Sequence, residues 1–122
     1  MKHLTNSILR ELKKGSIQNV ELFSDTDVLP KVPYVIVKPE VGAKPDTWQF
    51  RIIAHHSKGA ADKLAQYIFT ELTMLLPGTI DDDEGSRYKL YNGGITAITA
   101  EPNDNTYFME RVFYTPLMGY GI

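Results

Sequence analysis

Four consecutive carboxylates, Asp81-Asp82-Asp83-Glu84, and two adjacent imidazoles, His55-His56, are the groups in this sequence that first invite a chemical reading. The tetrad has the charge to attract Mg²⁺ or Ca²⁺, but it lacks the alternating spacing of ligands that wraps a calcium ion in an EF-hand loop. A solvated acidic turn is the expectation. The two histidines sit in a segment patterned as a strand, where neighbours point to opposite faces, so at most one can join a given site. No metal and no cofactor is expected.

The remaining chemistry is equally sparse. Asp46 followed by Gln49-Phe50-Arg51 supplies the first carboxylate and a basic residue of a metal nuclease, but the second carboxylate on the following strand is missing. Ser7, Ser16, Ser24, Ser57 and Ser86 lie in no G-x-S-x-G elbow. Gly93-Gly94 is a lone pair without a lysine-bearing phosphate loop, so nucleotide binding has no support. With no cysteine, disulfides, thiolate metal sites and cysteine nucleophiles are excluded, and a reducing compartment fits. The expectation is a protein that is not an enzyme.

A net charge of −2 argues against broad attraction to nucleic acid or anionic lipid. Seven tyrosines and five phenylalanines are not interleaved with basic residues, and packing explains them better than base stacking. No apolar run approaches the roughly 18 residues that span a bilayer, and Met1 to Lys14 lacks the apolar stretch of a signal peptide. At 122 residues and 43% hydrophobic composition, a single domain over residues 1–122 is expected.

The elements that would position any site follow from periodicity. Leu4, Ile8 and Leu12 form one stripe of a short N-terminal helix that Gly15 ends. Tyr34 to Lys38, bounded by prolines, reads as a buried strand, and Thr47 to His55 alternates Trp48, Phe50, Ile52 and Ala54 against Gln49, Arg51 and His55. A capping Ser57 precedes Ala61, Leu64, Ala65, Ile68, Leu72, Leu75 and Leu76, which predict a long amphipathic helix ended by Pro77-Gly78. At about 18 residues and about 1.5 Å per residue it would run roughly 27 Å across the sheet, over Tyr34, Ile36, Phe50 and Ile52. Asn92-Gly93-Gly94 reads as a turn into Ile95 to Ala100. Tyr107 to Thr115 sets Phe108, Val112 and Tyr114 against Met109, Arg111 and Phe113, with Tyr107 and Glu110 exposed. Large apolar groups on both sides of that strand imply that one sheet face meets another protein. The expected fold class is α+β: a mainly antiparallel sheet, one long amphipathic helix packed on one face and a short N-terminal helix.

This order of elements, carried by Pro33 to Pro39, by Phe50 to Leu72 and by Ile95 to Leu117, resembles the tail terminator and tail-to-head joining proteins of long-tailed, lambda-like bacteriophages. The resemblance implies a small subunit that forms a homohexameric ring on the tail tube, stops elongation and presents a surface to the head connector. It further implies assembly in the bacterial cytoplasm and residence in the virion, with the tail tube protein and the head–tail connector as partners. The residues expected at an oligomer or tube interface are Trp48, Asp81, Asp82, Asp83, Glu84, Tyr107, Met109, Arg111 and Phe113. Another phage neck or head-completion subunit, and a small ferredoxin-like ligand-binding domain, are the alternatives; an apolar pocket with convergent polar groups would favour the last.

Overall fold

The structure, a computed structural model, describes residues 2–25, 31–42, 47–57, 61–67, 71, 78–95, 99–100 and 106–116. Helix α1 (Lys2–Leu12) leads into strand β1 (Val20–Leu22) and a short 3₁₀ turn at Phe23–Asp25. Strands β2 (Tyr34–Val41) and β3 (Thr47–Ser57) follow, then helix α2 (Ala61–Gln66). A small hairpin of β4 (Thr79–Asp81) and β5 (Arg87–Lys89) precedes β6 (Tyr91–Ile95), β7 (Thr99–Ala100) and the long closing strand β8 (Thr106–Pro116).

Among the described residues the main sheet has six strands in the order β1-β2-β3-β8-β6, with β7 also paired to β8. Only β1 and β2 run parallel; every other pairing in it is antiparallel. Strand β3 lies at the centre, paired over Tyr34–Val41 on one side and over Thr106–Pro116 on the other. Pro39, which has no N–H to give, falls beyond the last β1 pair, Leu22 with Val37, where β2 has become an edge.

One sheet face carries the core. Val35 and Val37 from β2, Phe50, Ile52 and Ala54 from β3, and Met109 and Phe113 from β8 point the same way and are buried together. Leu4, Ile8 and Leu12, spaced four apart on α1, are fully buried in the same cluster, as is Leu64 of α2. Ile80 and Leu90, from the small hairpin and its exit, complete the cover, and α1 packs on β1 and β4.

Strands hold 53% of the described residues against 25% in helical turns, so the fold is mainly β, and the expected α+β class is corrected. Among the described residues no long amphipathic helix lies on the sheet. The described helix in that segment is Ala61–Gln66, six residues; Ile68, Leu72, Leu75 and Leu76 lie outside the described residues. The physical reason is that the cover is built in pieces. Among the described residues α1 buries Leu4, Ile8 and Leu12, α2 buries Leu64 and the β4–β5 hairpin buries Ile80 over the same face.

The phase of β2 also differs from expectation. Tyr34 and Ile36 pair with His55 and Ile53 and so lie on the face opposite the helices, while Val35 and Val37 face them. An all-apolar run has no alternation from which that phase could be read. The Asn92-Gly93-Gly94 segment is likewise not a turn but part of edge strand β6, bulged between Asn92 and Gly94. Gly94 has φ of 129°, a backbone shape that side-chain-bearing residues avoid, and the Asn92 side chain accepts its N–H at 3.1 Å.

Neighbouring isoleucines on β3 test the assignment of faces. Ile52→Ala is expected to cost roughly 2–5 kcal/mol, and Ile53→Ala clearly less, because only Ile52 is fully enclosed in the core. Urea denaturation of the two variants, compared with the parent at equal m-value, is the measurement.

Candidate functional site

The acidic tetrad is consumed within the subunit. Asp81 Oδ1 accepts from Arg87 Nε at 2.9 Å, across the β4–β5 pair. Asp82 Oδ1 accepts the backbone N–H groups of Glu84 and Ser86, each at 2.9 Å, and closes the turn that Gly85 completes at φ 84°. Asp83 Oδ1 accepts from Arg10 Nη1 of α1 at 2.9 Å, and Glu84 lies 3.3 Å from His3 Nε2. The Arg87 hydrogen bond holds the Asp81 carboxyl below its usual range, and the Arg10 hydrogen bond does the same for Asp83. The tetrad is a staple between the small hairpin and α1. Among the described residues no group of three or more histidine, cysteine, aspartate or glutamate side chains could hold a metal ion.

The other residues expected at an interface lie on the helix-covered side of the sheet. Met109, Arg111 and Phe113 are buried on the helix-covered face of β8, and Trp48 and Tyr107 pack partly buried against the same core. Arg111 lies 5.1 Å from the Phe113 ring centre, and burial lowers its pKa. The reason is register. Trp48, Phe50, Ile52, Ala54 and His56 pair with Thr115, Phe113, Arg111, Met109 and Tyr107, so all ten share the core side.

The opposite face therefore carries the complementary set. Tyr34, His55 and Phe108 stack in a row across β2, β3 and β8, with ring centres 4.5 and 5.6 Å apart. Beside them Arg51 donates to Glu110 Oε2 from Nε at 2.9 Å and from Nη2 at 2.6 Å, with Glu40 at 3.8 Å. Glu110, expected to be exposed, is 9% accessible because Arg51 reaches across it. The Glu110 hydrogen bond raises the Arg51 pKa above its ordinary value. Ile53, Val112 and Tyr114 are partly exposed on this face, and Tyr91 on edge strand β6 stacks on Tyr114 at 5.2 Å. Asp46 lies outside the described residues, and Gln49 and Arg51 bind carboxylates of the chain itself, Glu40 and Glu110.

A third place was not anticipated. Where β3 ends and α2 packs beside the α1–β1 connection, a cleft of ≈ 270 Å³ is lined by residues that include Ser16, Ile17, His56, Lys63, Tyr67 and Glu71. Lys63 and Tyr67 are four apart, so one helical turn places both on the cleft side. Ser16 closes the opposite wall, giving its backbone N–H at 3.0 Å and its hydroxyl at 2.7 Å to Glu71 Oε2. His56 Nδ1 accepts the Ser57 N–H at 2.9 Å, which leaves Nε2 to carry the ring proton. Burial lowers the His56 pKa, and the Lys63 charge adds to the effect. Tyr67 is 3% exposed and its hydroxyl is buried without a hydrogen-bond partner; burial, with the Glu71 charge, pushes its pKa up. The spacing of Lys63, Tyr67 and Glu71 is visible in the sequence, but nothing there brings Ser16 or His56 to them.

The chain matches no protein-family model and no curated protein sequence. Among the described residues no helix is long and apolar enough to cross a membrane.

Two measurements test this description. Tyr67→Phe is expected to leave stability unchanged or raise it by about 1 kcal/mol, because it removes an unsatisfied buried hydroxyl without changing the ring; thermal and urea unfolding report the sign. The staple should also be acid-labile. Both carboxyl shifts are downward, so its contribution is complete above the ordinary carboxylate pKa of about 3.9 and is lost as pH falls through the depressed folded values. Amide shifts of α1 around Arg10 should follow that acid step in the parent and lack it in Asp83→Asn.

Proposed function

We propose that the chain is a ring-forming subunit of a long-tailed phage, a tail terminator that acts by assembly at the end of the tail tube. In this reading six copies close on the tube, stop its growth and present the surface that joins the head connector; the protein is assembled in the host cytoplasm and resides in the virion. The observation that carries the reading is the sheet face turned away from the helices. Partly exposed Phe108, Val112, Tyr114 and Ile53 lie there, with Tyr91 beside them at the edge. Tyr34 and Ile36 on this face are buried within the chain, whereas the strip of Ile53, Phe108, Val112 and Tyr114 is left partly exposed, and such a strip is the kind that another chain buries.

Two further features support it. Among the described residues the sheet ends in unlike strands, parallel β1 on one side and bulged β6 on the other. Contacts between unlike edges are heterologous, the kind that closes rings. The acidic turn, with its carboxylates paired at home, places little free charge against a neighbour. The resemblance to tail terminators now rests on α1, the β2–β3 pair and the closing strand β8, without the long helix.

Light scattering over a concentration series, alone and on purified tail tubes, tests the reading. The expected mass approaches six times 13.8 kDa, with the tube favouring closure because several identical weak contacts engage together. Val112→Asp with Tyr114→Asp should abolish the increase while circular dichroism stays that of the parent. A mass that stays near one subunit under both conditions removes the terminator reading.

A further inference from the structure

The cleft beside α2 has no part in ring assembly as proposed, and its chemistry is of another kind. Lys63 is exposed and forms no ion pair among the described residues. The only carboxylate among the described lining residues, Glu71, is held at one oxygen by both donors of Ser16. His56, fixed as the Nε2–H form, offers a neutral donor. Tyr67 lines the same cleft, and its hydroxyl is buried without a hydrogen-bond partner. Residues that carry an ammonium, an imidazole and a phenol thus line one small volume, with Ile17 as an apolar wall.

We propose that this cleft binds a carboxylate group carried on a small apolar body, held by Lys63 and His56 and completed by the Tyr67 hydroxyl. A carboxylate is acceptor-only, which matches three donors and supplies what Tyr67 lacks. Its single charge balances the Lys63 ammonium. Inorganic phosphate, near −2 at neutral pH, would set a second negative charge near Glu71 with no further cation among the described lining residues to meet it. A cationic ligand is disfavoured by Lys63. The Tyr67 hydroxyl is closed to solvent, so a ligand reaches it by shifting side chains of the cleft lining, of which Lys63 and Gln66 are exposed on α2. This inference stands apart from the tail terminator reading, and either can fail without the other.

The test is a titration of butyrate into ¹⁵N-labelled full-length protein, followed by amide shifts, with butyramide and inorganic phosphate as comparison probes. Butyrate is expected to move the amides of Ser16, His56, Lys63 and Tyr67 saturably, with butyramide and phosphate at least tenfold weaker. Lys63→Met and Tyr67→Phe should each weaken butyrate binding at least fivefold. The Tyr67→Phe variant keeps the buried ring, so its loss of binding in a folded protein is not a loss of structure. Movement of the same amides when the protein alone is concentrated, abolished by Lys63→Met, would identify the carboxylate as one supplied by a second copy of the chain and would support the same site chemistry. No saturable response to butyrate or to concentration, a response unchanged in both variants, or one matched by butyramide or phosphate would overturn the proposal.

Discussion

A strand hydrogen-bonded on both sides cannot slip by one residue without turning its whole apolar set from the core to the opposite face. Strand β3 is so held from Trp48 to His55, by β2 on one side and β8 on the other, and the rest of the molecule is arranged around its phase. Because Phe50, Ile52 and Ala54 face the helices, their partners Val35, Val37, Met109 and Phe113 must face them too. Arg51, Ile53 and His55 are thereby committed to the other side, together with Tyr34, Glu110, Val112 and Phe108. The large apolar residues of β8 that look available in isolation become core by this constraint, and the strip left outside is the complementary one.

The charged groups follow from the same geometry. Arg51 meets Glu110 because their positions on β3 and β8 lie diagonally across one face, and the long guanidinium covers the carboxylate from water. Such a pair contributes direction more than raw stability, since desolvating both charges offsets much of their attraction. The acidic turn is organised differently. Its exposed carboxylates neutralise a cation of α1 and one of β5 and cap their own turn, which ties the small hairpin to the first helix by contacts that salt and acid can weaken.

The two proposed roles fall on different surfaces in a way that composition does not announce. Assembly, as proposed, draws on the sheet face away from the helices and on the unlike edges of the sheet. The cleft draws on the opposite side, where the end of β3, α2 and the α1–β1 connection meet. A hydroxyl left unsatisfied in that cleft is a local cost of the fold, and the free ammonium nearby gives an acidic ligand a reason to bind there.

What the sequence determined by itself was local. The four-residue spacing of Leu4, Ile8 and Leu12 dictated α1, the alternation from Trp48 to Ala54 dictated β3, and the adjacency of His55 and His56 in a strand sent them to opposite faces, one into the aromatic stack and one into the cleft. The absence of a nucleophile elbow, a phosphate loop or any cysteine was equally plain. Only the tertiary structure decided which way β2 and β8 turn, because Tyr34 to Val37 is apolar at every position and Tyr107 to Thr115 carries bulk on both sides, so neither contains a phase of its own. It also decided that the acidic tetrad is a staple, since Arg10 stands 73 positions from Asp83, and that Ser16 closes a cleft with Glu71, 55 positions away. Periodicity reports which side chains share a face of one element; which faces meet depends on pairings distant in the chain, and no local pattern encodes those.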